Sequence, residues 1–108
     1  MSENSISCSP GNCSLKDVLD IIGGKWAMPI IYNLSKGKMR FKQLERGIEG
    51  INTRMLVKEL KNMEVNGIVT REVFATVPPT VEYALTVKGE ALLPSIHALY
   101  QWGQVYIN

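Results

Sequence analysis

The sequence predicts a mainly α fold with a small β appendage, and three observations carry that expectation. From Asn52 to Asn66 the chain has a helical period, with Arg54, Lys58 and Lys61 on one side and Leu56, Leu60 and Met63 on the other. At about 100° per residue the two sets centre roughly 180° apart, so one face suits a core and the other is a positive stripe. Just before it, Phe41 to Gly47 sets Phe41, Leu44 and Ile48 at helical spacing and runs into the turn Gly47-Ile48-Glu49-Gly50-Ile51. After Gly67 the period becomes two: Ile68 to Phe74 alternates Val69, Arg71, Val73 against Ile68, Thr70, Glu72. Two short helices joined by a glycine-containing turn, the second basic outside, spell helix-turn-helix, and strands directly after the second helix make a wing.

The remaining elements follow in order. Residues 1–12 are rich in Ser and Asn and read as a flexible tail, leaving 13–108 as one winged helix-turn-helix domain. Ser14 is placed to cap a first helix, with Asp17 completing the box; Leu15, Val18, Leu19 and Ile22 make its apolar face before Gly23-Gly24. A second helix starts near Trp26, because Pro29 is tolerated only in a first turn. Met39-Arg40 suits a short edge strand. The wing's second strand is Val81 to Leu85, and the prolines of Ala75 to Thr80 keep that segment out of the ladder. Thr86 then caps a long helix to about Tyr106, which Pro94 either kinks or starts.

Composition narrows the classes. The 108 residues suit a single core, and a net charge of +2 neither demands nor excludes nucleic acid, since a local stripe outweighs the total where phosphates are concerned. No apolar run approaches the roughly 20 residues of a membrane span and the start lacks the pattern of a signal peptide, so a cytoplasmic protein with reduced thiols is expected. An enzyme would need a nucleophile with its base, paired carboxylates or a metal site; the only histidine, His97, falls within the apolar last helix, and Cys8, Cys13 and His97 make a poor ligand set. Neither catalysis nor a cofactor is expected.

From Thr86 onward only Lys88 and Glu90 are charged, so Leu92, Ile96, Leu99, Trp102 and Tyr106 line a helix with more apolar surface than one small core covers. A homodimer through this helix would supply two recognition helices to double-stranded DNA, with grooves about 34 Å apart. The alternative is a helix lying on its own core.

The assembled pieces resemble the HxlR-type winged helix-turn-helix regulators of bacteria. The resemblance rests on Gly23-Gly24-Lys25-Trp26, Met39-Arg40-Phe41 with Leu44, Gly50-Ile51 with Arg54-Met55-Leu56 and Leu60, and Val77-Pro78-Pro79-Thr80-Val81-Glu82-Tyr83 with Leu85-Thr86 and Gly89. It implies a homodimer on a pseudo-palindromic operator, regulating a nearby gene, often one of detoxification or redox metabolism. It also implies a sensor for oxidants or electrophiles at a cysteine just before the first helix, where this chain has Cys13. The positive end of the Ser14-capped helix and Lys16 favour a thiolate there, the form that reacts with quinones, peroxides or small thiol effectors. A residue that merely packs at a helix start is the other option. Some family members pair this cysteine with a downstream one of the partner subunit, but no cysteine follows Cys13 here. That leaves Cys13 to Cys13, Cys8 to Cys13 through the Pro10-Gly11 turn, a mixed disulfide or an adduct.

Within the recognition helix Asn52 is the expected N-cap. Thr53, Arg54, Val57 and Lys58 are then the first outward residues to meet base edges, with Arg54 suited to guanine. Lys61 is assigned to phosphate, as are Arg40, Lys42 and Arg71, because the wing tip from Thr76 to Thr80 has no Lys or Arg. A protein-interaction module without sequence-specific DNA binding is the competing function.

Overall fold

N-cap side chains replace missing backbone partners at three of the six described helix starts. The structure, a computed structural model, describes residues 11–107 and contains α1 (Leu15–Ile22), α2 (Ala27–Leu34), β1 (Met39–Arg40), α3 (Phe41–Gly47), α4 (Thr53–Val65), β2 (Val69–Phe74), β3 (Thr80–Leu85), α5 (Val87–Glu90) and α6 (Leu93–Tyr106). Ser14 opens α1 with a reciprocal capping box to Asp17, Asn52 Oδ1 accepts from the Met55 amide at 2.9 Å to open α4, and Thr86 Oγ1 accepts from Gly89 at 3.0 Å to open α5. No side chain caps α2; its Pro29 sits in the first turn, where an amide has no intrahelical acceptor.

The sheet has the order β1-β3-β2, all antiparallel, with Met39 opposite Tyr83 and Arg71 opposite Tyr83 across the other side. Alternation along the strands therefore puts Met39, Tyr83, Arg71, Val69 and Leu85 on one face and Arg40, Glu82 and Glu72 on the other. Ile30, Ile31, Leu44, Leu56, Leu60, Met63, Ile68 and Val69 are fully buried in one core that joins α2, α3, α4 and the base of the wing. The expected architecture is therefore the observed one: mainly α, with a small three-stranded wing. Among the described residues no helix is long and apolar enough to cross a membrane.

Two boundaries differ from the sequence expectation by one residue, β2 starting at Val69 and β3 at Thr80. The larger correction concerns the last helix. The segment 86–106 is not continuous: α5 ends at Glu90, and α6 begins at Leu93 with Pro94 in its first turn. Pro94 thus starts the final helix rather than kinking it, because a proline there removes no intrahelical hydrogen bond. The expected 1–12 tail lies outside the described residues except for Gly11 and Asn12, which are exposed.

The Ile68 carbonyl ties the wing to the C-terminal helices. It accepts from the Thr86 amide at 3.0 Å and from Thr86 Oγ1 at 3.1 Å, and a Cβ built on Gly89 would lie 2.3 Å from it. Glycine is what lets α5 approach this strand backbone. Replacing Gly89 by Ala forces the two apart and is expected to lower stability by on the order of 1–3 kcal/mol in urea denaturation; an unchanged midpoint would show that α5 does not need that contact.

Candidate nucleic-acid interface

Burial of Leu56, Leu60 and Met63 fixes the rotation of α4 and leaves Arg54, Val57, Lys58 and Lys61 exposed. Among the described residues the ion pairs are Lys16–Asp20 at 3.8 Å and Lys38–Glu72 at 4.0 Å, so no carboxylate is paired with the cations of α4. Glu59 and Glu64, on the same helix, form no ion pair with these cations. The cations of the stripe are therefore unpaired, with Glu59 and Glu64 lining the clefts beside them.

Two polar groups at the start of α4 are already engaged. Asn52 uses its side-chain oxygen as the cap, which leaves its amide nitrogen as the outward group. Thr53 Oγ1 donates to the Glu45 carboxylate of α3, so its hydroxyl clamps the two helices of the motif together. Glu45 was not a candidate in the sequence. Eight residues from Thr53, it becomes a neighbour only once the turn has closed.

The remaining cations divide between two clefts. Lys61 and Arg71 line one of about 320 Å³ with Phe41, Val57, Leu60, Glu64 and Tyr83, between α4 and the inner face of the wing. Arg40 and Lys42 line a second of about 650 Å³, where Arg46 joins them and Pro79, Thr80 and Val81 of the wing form the other wall. Arg46 was missed in the sequence, although its place four residues after Lys42 was a signal that both share one helix face. At the wing tip Thr76 Oγ1 donates to the Pro78 carbonyl at 2.7 Å, which folds the loop on itself, and Val77 is fully exposed.

At the other end of the chain Cys13 is exposed, directly precedes the α1 cap and is disulfide-bonded, in contrast to the reduced thiols expected. Cys8 lies outside the described residues. In α1, Leu15 is 73% exposed and Leu19 51%. Along α6 the five residues of the expected dimer face separate into two groups. Ile96 is buried in the protomer's own core and Leu92 packs against it, whereas Leu99, Trp102 and Tyr106 are exposed, together with Val105 and Ile107. Leu92, just before α6, and Ile96 thus face the protomer's own core and not the dimer interface expected for them. His97 is exposed, with its ring 6.2 Å from that of Tyr32.

Comparison with known proteins gives a consistent result. The family model described as HxlR-like helix-turn-helix matches residues 21–108. An uncharacterized HTH-type transcriptional regulator of Methanothermobacter thermautotrophicus is 43% identical over 94 residues, 87% of this chain and 72% of that protein. Among solved structures, the redox regulator HypR in its oxidized form superposes with a TM-score of 0.84 at 41% identity, covering 89% of this chain and 99% of that one. The reduced form of the transcriptional regulator YodB from B. subtilis gives 0.76 at 33% identity, covering 87% and 92%.

The α1 cap is expected to depend on pH. The Asp17 carboxylate accepts from Ser14 N and Ser14 Oγ, each at 3.0 Å, and these bonds, the backbone one first, with a smaller contribution from Lys16, hold its pKa below the usual 3.8. A lowered carboxyl pKa stabilises the folded form above the unfolded value and loses that contribution as pH falls through the folded one. The start of α1, next to Cys13, is therefore expected to hold at neutral pH and to loosen in acid below about pH 4. Amide exchange at Ser14 and Asp17 should show it, and a pH dependence that persists in Asp17→Asn would count against this cause.

Proposed function

The chain belongs to the HxlR-like helix-turn-helix family and is a transcriptional regulator of that type, and from this premise we propose that it acts as a homodimer on a pseudo-palindromic DNA operator. The observation that carries the proposal is the unpaired stripe of Arg54, Lys58 and Lys61, held outward by the buried face of α4 and preceded by a short helix and turn. A helix of that shape enters the major groove with its first turns against base edges. Arg54 and Lys58 reach bases, with the Val57 side chain and the Thr53 methyl available to thymine methyl groups. Lys61, Arg71, Arg40 and Lys42 hold phosphates.

Exposed apolar side chains support the dimer. Leu15 and Leu19 on α1, Leu99, Trp102, Val105 and Tyr106 on α6 and Ile107 just after it are more apolar surface than a monomer of this size usually leaves in water. A second copy covers them in a two-fold arrangement that presents both α4 helices to one side of the duplex.

Redox control at Cys13 is the finer part of the proposal. Its support is the exposed position beside the α1 cap, the disulfide there, and similarity to HypR, a redox regulator known in oxidized and reduced forms, and to YodB, known in a diamide-treated form. Interconversion of disulfide and thiols at Cys13 would alter how α1 begins, and α1 carries part of the apolar surface assigned to the dimer.

Two experiments test the proposal. Arg54→Ala is expected to weaken binding to the operator by on the order of 1–3 kcal/mol while barely changing the affinity for random duplex; equal losses on both would remove the base-reading role. Gel shifts on the protein's own upstream DNA, with reductant and then with diamide, should show oxidant-sensitive binding in wild type and insensitive binding in Cys13→Ser. Binding that ignores oxidant in both would leave a regulator without a thiol switch.

A further inference from the structure

The cleft between α3 and the wing extends the interface beyond the recognition helix. Three cations, Arg40, Lys42 and Arg46, line it, and no carboxylate does. The acidic residue of α3 itself, Glu45, is turned to the other side of the helix, where it accepts from Thr53. Lys42 and Arg46 are four apart on one helix face, a like-charge spacing that destabilises an isolated helix by tenths of a kcal/mol unless an anion lies between them. None of the three is in an ion pair among the described residues.

This cleft is also continuous with the α4 surface. Phe41 lines both it and the cleft that holds Lys61 and Arg71, so the two basic sets adjoin across one aromatic ring. Together they form a track from α4, where Glu64 is the one lining carboxylate, past Phe41, to the loop end of the wing at Pro79 and Thr80. The wing loop, residues 75–80, contains no Lys or Arg to seize DNA itself.

We infer that the Arg40–Lys42–Arg46 cleft seats the phosphodiester backbone of the DNA that flanks each half-site, with Arg46 as its principal ligand, a sequence-independent grip in place of a basic wing tip. Guanidinium suits the role because its fork can hold two oxygens of one phosphate. The inference rests on the DNA-binding function proposed above.

The test is fluorescence anisotropy with wild type, Arg46→Gln, Arg46→Lys and Arg54→Ala, on a duplex of the protein's own upstream DNA and on a random-sequence duplex, from 50 to 200 mM salt. Arg46 is exposed, so its variants should melt like wild type. Arg46→Gln is expected to weaken both duplexes by the same factor, on the order of tenfold, and to reduce the slope of log affinity against log salt by about 0.9, the loss of one phosphate contact. Arg46→Lys should recover most of that slope, while Arg54→Ala weakens only the upstream duplex. Unchanged affinity and slope in Arg46→Gln would overturn the inference and leave the cleft a solvated surface. A loss confined to the upstream duplex would overturn it in favour of base contact. Should wild type bind neither duplex, the DNA-binding function itself fails and the cleft assignment with it.

Discussion

Burial of Leu56, Leu60 and Met63 against α2, α3 and the base of the wing is the constraint on which the functional surface depends. Each such side chain removed from water contributes about 1.5–3 kcal/mol, a sizeable part of the stability of a domain this small. Turning α4 by one residue, about 100°, would expose part of that face and drag a charged side chain toward the core, at a cost no other contact offsets. The positions of Arg54, Lys58 and Lys61 are thus consequences of apolar packing. Their charges need no partner of their own to hold the helix in place.

The polar residues around the helix start divide the work by chemistry. Asn52 and Thr53 are short and close to the backbone, so they satisfy an amide and a neighbouring carboxylate within the protein. Arg54 and Lys58 are long and lie a full side-chain length beyond that fixed framework. Glu45 performs two services at once: it immobilises the start of α4 through Thr53, and its negative charge is kept out of the cleft that Lys42 and Arg46 share. With the carboxylate turned the other way, the positive track would be interrupted near its middle.

Most elements were legible in the sequence because they are set by local period and capping chemistry: the Ser14 box, the Asn52 cap, the alternation after Gly67 and the outward stripe of α4. The misplaced features depend on what the chain meets after folding. Leu92 and Ile96 fall on the same helical stripe as Leu99, Trp102 and Tyr106, and period alone cannot separate them. Leu92 lies before the start of α6 and Ile96 in its first turns, where the helix meets the core, whereas Leu99, Trp102 and Tyr106 lie further along α6 and stay exposed. Glu45 and Arg46 escaped notice for the same reason, since their partners, Thr53 and the wall of the wing, are brought close by the turn after Gly47 and by the β2–β3 pairing. Pro94 was legible as a boundary but ambiguous in sign, because a proline marks a helix start and a helix kink with the same residue.

The two ends of the chain are linked by what they leave exposed. Helix α1 begins immediately after Cys13 and carries Leu15 and Leu19 into solvent, while α6 does the same with Leu99, Trp102 and Tyr106. Under the proposed dimer both surfaces are covered by a second copy, so the geometry at Cys13 and the packing of the interface share one eight-residue helix. An eight-residue helix has little independent stability and depends on its cap and on tertiary contacts. A covalent change at the residue before that cap acts where α1 is least able to resist it. The separation between the two α4 helices follows from how the protomers pack, and DNA grooves about 34 Å apart tolerate little error in that separation. A small shift at the start of α1 is therefore sufficient, in principle, to move a distant pair of recognition helices out of register, without any change in the core that holds each of them.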